Sequence, residues 1–166
     1  MGILTGNQKD EPMHYGEVFA VWTNLAGCYA MVAAYQTLYN HAGDDDLRKL
    51  LGEFIRNAKD EVEPLERILK SNGVALPLAP PERPEAKQEH IPPGAKINDP
   101  EISATLSVDA AKSLSAYSNA MGICTREDIA MMFGQFHLAK AQLAYKLLRL
   151  NKTKGWLMLP PLHFPI

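Results

Sequence analysis

A chain of 166 residues with 46% apolar positions is one domain's worth of sequence, enough to bury a core of its own. Its 17 Lys plus Arg against 19 Asp plus Glu, a formal charge of −2, leave no cationic stripe and so exclude binding driven by phosphate neutralisation; nucleic acid is not an expected partner. Cys28 and Cys124 are too few for a disulfide framework or a Cys-x-x-Cys site, and the apolar stretch Leu25 to Tyr35 falls short of the ~20 residues that span a bilayer.

Apolar residues at 18, 21, 22, 25, 28, 29, 32, 35 and 39 follow the 3.6-residue period and predict helix A over about 13–42, with Gly43 as a C-cap of positive φ. Asp44, Asp45 and Asp46 supply the cap and acidic first turn of helix B, 44–72, whose stripe is 47, 51, 54, 58, 62, 65 and 69 before Gly73. Pro64 lies inside this helix and predicts a kink near Asp60. Seven of the twelve prolines fall between 73 and 100, so residues 73–99 read as a crossover rather than a helix.

Asp99-Pro100-Glu101 reads as N-cap, N1 proline and acidic N2 of helix C, 100–122, which carries Ile102, Leu106, Ala110, Leu114 or Tyr117, and Met121. Thr125 with Asp128 resembles a capping box and opens helix D, 125–154, with Ile129, Met132 or Phe133, Phe136, Leu143, Leu147 and Leu150 on its stripe and Gly155 at its end. The tail 155–166 is apolar but holds three prolines, and it is expected to dock as an arm. Its Trp156, Leu157, Leu159 and Phe164 are the candidate contacts of a homodimer.

Four such helices can bury their stripes only against one another. Short A–B and C–D links with one long link between the pairs favour two antiparallel hairpins with helices B and C parallel: an all-α, ferritin-like four-helix bundle in a single domain. In that topology Cys28 and Cys124 lie too far apart for a disulfide and are expected to be free thiols.

Chemistry-bearing residues are sparse. Hairpin register sets Asp109 level with His137, a pairing that reads either as a metal, ligand or proton-transfer site in the bundle core or as a hydrogen-bonded polar pair fixing register. Di-iron bundles need Glu-x-x-His on two helices. Here the spacing occurs only as Glu11-Pro-Met-His14, while helices B and D offer Glu61-Val-Glu-Pro64 and Glu127-Asp-Ile-Ala130. That argues against a di-iron oxidase. Glu61 borders the Ala58 and Leu65 face and reads either as a third polar group or, since the A–B register sets it opposite Leu25, as the solvated flank expected here. Met121, Met131 and Met132 beside His137 read as core filling rather than copper ligation. No catalytic set and no cofactor are expected, and Met1-Gly-Ile-Leu-Thr shows no signal peptide.

Several short stretches, in order, carry a likeness: Pro12-Met-His-Tyr-Gly-Glu17, Asn40-His-Ala-Gly43, Pro80-Pro-Glu-Arg-Pro84, Ile91-Pro-Pro-Gly-Ala95, Arg126-Glu-Asp-Ile129, Met132-Phe133 with His137, and Lys154-Gly-Trp156. Over nearly its whole length the chain resembles an uncharacterised family of spore-forming bacteria, ferritin-like four-helix bundles described as candidate spore coat proteins. The resemblance implies the fold, and a cytoplasmic or spore-coat location. It assigns no activity, catalytic residue or cofactor. Some relatives are similar to two bundles in tandem, which implies a dimer of this single bundle or contacts with other coat proteins. The expected function is a non-catalytic structural or interaction protein; the alternative is a metal- or small-ligand-binding bundle with a degenerate site around His137 and Asp109.

Overall fold

A computed structural model describes residues 11–163. Within them lie four helices, α1 (Tyr15–His41), α2 (Asp45–Ser71), α3 (Asp99–Ile123) and α4 (Glu127–Lys154), with two short 3₁₀ turns in the crossover at Gln88–His90 and Pro93–Ala95. Asp44 caps α2 through hydrogen bonds from the Asp46 and Leu47 N–H groups, the role its position predicts. α2 runs unbroken through Pro64. Gly73 and Gly155 take positive φ at the ends of α2 and α4.

Three local readings are corrected. Gly43 does not adopt positive φ; the C-cap of α1 is an extended Ala42, and a Cβ at Gly43 would stand close to Gln88 Nε2, at 3.1 Å, and in ordinary contact with Asp99 Oδ2, at 3.4 Å. The N-cap of α3 is Asn98, which forms a capping box with Glu101. Asp99 is thereby free to accept from the Gly43 and Asp44 N–H groups at 2.8 and 3.1 Å, pinning the α1–α2 turn. Finally, Thr125 and Asp128 make no capping box, because both side chains are engaged elsewhere: Thr125 donates to Glu17 and Asp128 receives the Arg126 guanidinium.

These contacts fix the topology. The start of α3 meets the end of α1 through Asp99, and the end of α3 meets the start of α1 through His14, whose Nε2–H donates to the Ile123 carbonyl because its Nδ1 already accepts from Gly16. α1 is therefore antiparallel to both α2 and α3, and α2 and α3 run in the same direction. Between them the crossover climbs along α1, held by Trp22 Nε1–H to the Ala75 carbonyl, by Gln36 to Glu82 and Arg83, by Asn40 to Pro84 and Ala86, and by His41 Nδ1 accepting from Ile97 N–H. The proline-rich segment spans the bundle from pole to pole, as the link lengths predict.

By length and composition α1 is also, among the described residues, the one helix apolar enough to cross a membrane. In the bundle it buries Val21, Leu25, Cys28 and Val32. The core falls into two apolar clusters. One gathers Leu25, Leu65, Tyr117, Phe133 and Phe136; the other gathers Tyr35, Phe54, Ile102, Leu106 and Leu143. What separates them is polar.

Candidate functional site

On α2, Phe54, Ala58, Glu61 and Leu65 occupy successive inward positions, and on α4 so do Phe136, Lys140, Leu143 and Leu147. Helix geometry thus drives one carboxylate and one ammonium into the layer between the apolar clusters, where both are at most 1% exposed. Each of the four helices contributes to this layer. Glu61 Oε2 accepts from the Tyr117 hydroxyl of α3 at 2.6 Å and from the Cys28 thiol of α1 at 3.4 Å, while Glu61 Oε1 faces Lys140 Nζ at 3.7 Å. Lys140 Nζ also stands 5.9 Å from the centre of the Phe54 ring. Glu61 is therefore a buried hub and not the solvated flank expected from the sequence.

The pair sits within a register ladder. Lys154 with Asp44 at 2.7 Å, Lys146 with Glu53 at 2.6 Å and Lys140 with Glu61 join α4 to α2 at three levels. Only the last is desolvated, so only there does the pairing have large energetic consequences.

Electrostatics silences the two acidic donors. Burial, followed by the neighbouring Glu61 charge and hydrogen bond, pushes the Cys28 thiol well above its ordinary value against the opposing Lys140 charge. Burial and the Glu61 charge likewise push the Tyr117 hydroxyl far up. Both remain protonated donors, and a thiol held as SH is neither nucleophile nor metal ligand. Cys124, at the α3–α4 turn, is raised to about 11 by burial and then by the charges of Glu17 and Asp128. Both cysteines are free. On native protein at neutral pH, iodoacetamide is expected to spare Cys28 and to label Cys124 about tenfold more slowly than an ordinary thiol. Timed alkylation with peptide mapping checks this; fast labelling of Cys28 would contradict its burial.

A di-metal centre of the ferritin-like kind does not fit this layer. It offers one carboxylate, two donors that keep their protons, and a lysine ammonium where a cation would have to sit. Among the described residues no three His, Cys, Asp or Glu side chains are grouped to hold an ion.

The residues singled out in the sequence lie elsewhere. Asp109 and His137 are both half-buried, yet no hydrogen bond or ion pair joins them among the described residues. Burial raises the Asp109 pKa, opposed by Lys112 and Lys140. Trp156 packs against the second apolar cluster, and its N–H donates to the Asn151 carbonyl at 2.9 Å. Leu157 is half-buried and Leu159 is exposed, whereas Phe164 lies outside the described residues. What the sequence reading missed is Lys140. The seven-residue gap between Phe136 and Leu143 on the helix D stripe was its signal, because a core stripe cannot skip two turns.

A second buried carboxylate works at one pole. Glu17 Oε1 accepts from the Thr125 and Arg126 N–H groups at 2.7 and 2.8 Å and from the Thr125 hydroxyl, while Oε2 accepts from His14 N–H. Burial alone would raise its pKa; these backbone donors outweigh it and hold the carboxyl below its ordinary value.

Comparison with known proteins places the architecture in context. Residues 1–165 match the family described as protein of unknown function (DUF3231). The chain is 55% identical over 163 residues to the uncharacterised protein YvdQ of Bacillus subtilis, covering 98% of this chain and 96% of that protein. It is similar to a crystal structure from Bacillus halodurans titled "putative spore coat protein", at 53% identity and a TM-score of 0.94 over 96% of this chain and 100% of the other. A two-domain protein of Anabaena variabilis that contains a ferritin-like domain shares the fold, with a TM-score of 0.66 at 18% identity, over 90% of this chain and 40% of its own.

Proposed function

The chain belongs to the DUF3231 family, and from its likeness to the Bacillus halodurans structure we propose that it is a spore-associated structural protein, a helical bundle that works by packing against other protein rather than by catalysis. The observation that carries this reading is the closed centre of the bundle. Where a ferritin-like bundle would hold reactive groups, Lys140 neutralises Glu61, and Tyr117 and Cys28 keep their protons behind side chains at most 1% exposed. Such a layer specifies register and has no route for a substrate.

The apolar surface supports the same reading. Met158, Leu159 and Leu162 of the arm are exposed, beside the docked Trp156. A spore-coat location is compatible with the similarity to the Bacillus halodurans structure titled "putative spore coat protein". A tagged chain expressed from its own promoter is expected in the coat extract of purified spores and not in the decoated remainder. Recovery only in the soluble fraction of vegetative cells would overturn the assignment.

A further inference from the structure

The outer face of α4 carries a stripe that the bundle does not use. Met131, Leu138 and Tyr145 recur every seven residues and are 60%, 62% and 60% exposed, with exposed Leu148 flanking the row. Gly134 and Ala141 occupy the small positions between them. At 100° per residue these three large side chains stay within about 20° of one line along the helix. That is a two-helix packing seam with no second helix on it. The crossover is tied to α1 and α2 and leaves α4 uncovered.

The stripe also has an order that names its occupant. About Leu138 it is symmetric: seven residues away on either side stand Met131 and Tyr145, and eleven residues away stand Glu127 and Arg149. Eleven residues are three turns, so the acid and the base lie on the same face as the apolar row. Both are exposed, and Glu127 forms no ion pair among the described residues. Arg149 lies 6.0 Å from the centre of the Tyr145 ring, so its guanidinium is held beside the stripe.

A helix that is apolar in the middle, acidic at one end and basic at the other complements an antiparallel copy of itself. The geometry points to a homodimer in which α4 packs on α4 of a second copy about a two-fold axis at Leu138, with Met131 against Tyr145 and Glu127 against Arg149 twice over. The closed symmetry uses one patch on both subunits and leaves the arm free for other contacts. This inference rests on the reading of the protein as one that packs against protein, and it names the first partner as the chain itself.

Sedimentation of the full chain tests it. At micromolar concentration the wild type is expected at twice the chain mass, and Leu138→Lys, at a position already exposed, at the chain mass with unchanged helical circular dichroism. Glu127→Lys and Arg149→Glu should each weaken the dimer about tenfold by setting like charges opposite, and the two together should restore it. A wild type that stays monomeric overturns the dimer, while recovery in the coat extract would still support the spore reading. A dimer indifferent to Leu138→Lys overturns the α4 seam; its loss on ending the chain at Gly155 would then assign the contact to the arm.

Discussion

Lys140→Met will destabilise the fold by about 3–5 kcal/mol, because it strands the Glu61 carboxylate in a layer that water does not reach. For a chain of this length that is a fall in melting temperature of roughly 6–20 °C. Removing the whole polar set should cost far less. Glu61→Leu with Lys140→Met leaves the Tyr117 hydroxyl without its acceptor, so the combination that returns stability to within about 1 kcal/mol of the wild type, or above it, adds Tyr117→Phe. Thermal and urea melts of the single, double and triple variants check the order. A Lys140→Met protein as stable as the wild type would mean that the pair is solvated or that its members are not opposed.

The second large effect is at the pole. Glu17→Ala will cost about 3 kcal/mol, since it leaves the N–H groups of His14, Thr125 and Arg126 without their shared acceptor and unties α1 from the α3–α4 turn. Its pH dependence has a definite sign. The folded-state pKa lies below the ordinary carboxylate value, so Glu17 contributes its stability in full above that value and loses it as pH falls through the lowered one. Acid should therefore destabilise the wild type more than Glu17→Gln, whose side chain does not titrate. Melts at neutral and strongly acidic pH check this, and equal losses in the two proteins would contradict it.

The fold was legible because its signals are redundant. Each helix carries an apolar stripe, glycines of positive φ close α2 and α4, and the prolines of the crossover leave one economical path between the hairpins. The central layer was not legible in the same way. Pattern reading sends Glu and Lys to solvent, and at Glu61 and Lys140 that rule fails in compensating fashion: each charge is tolerable inside only because the other is there, on a helix more than sixty residues away in sequence. Asp109 and His137 are not opposed, because the α3–α4 partners that do meet, Ser103 with Asn151 and Tyr117 with Phe136, set the hairpin in a different register from the one expected of its turn. The displaced caps have a similar cause. Asp99 and Thr125 are good capping residues whose side chains find better use in tertiary contacts with Gly43, Asp44 and Glu17.

Where a ferritin-like bundle can place carboxylates around metal ions, this chain supplies a lysine ammonium as an internal cation and keeps a single carboxylate. The charged pair ties α2 to α4 inside the bundle, and exposed apolar side chains lie outside it along α4 and the arm.

Elemental analysis of protein purified without chelator, run on the wild type and on Glu61→Gln, tests the closed centre most directly. Substoichiometric metal in both, with the wild type fully folded, is the predicted result. One or two equivalents of a transition metal in the wild type, lost in Glu61→Gln, would contradict it.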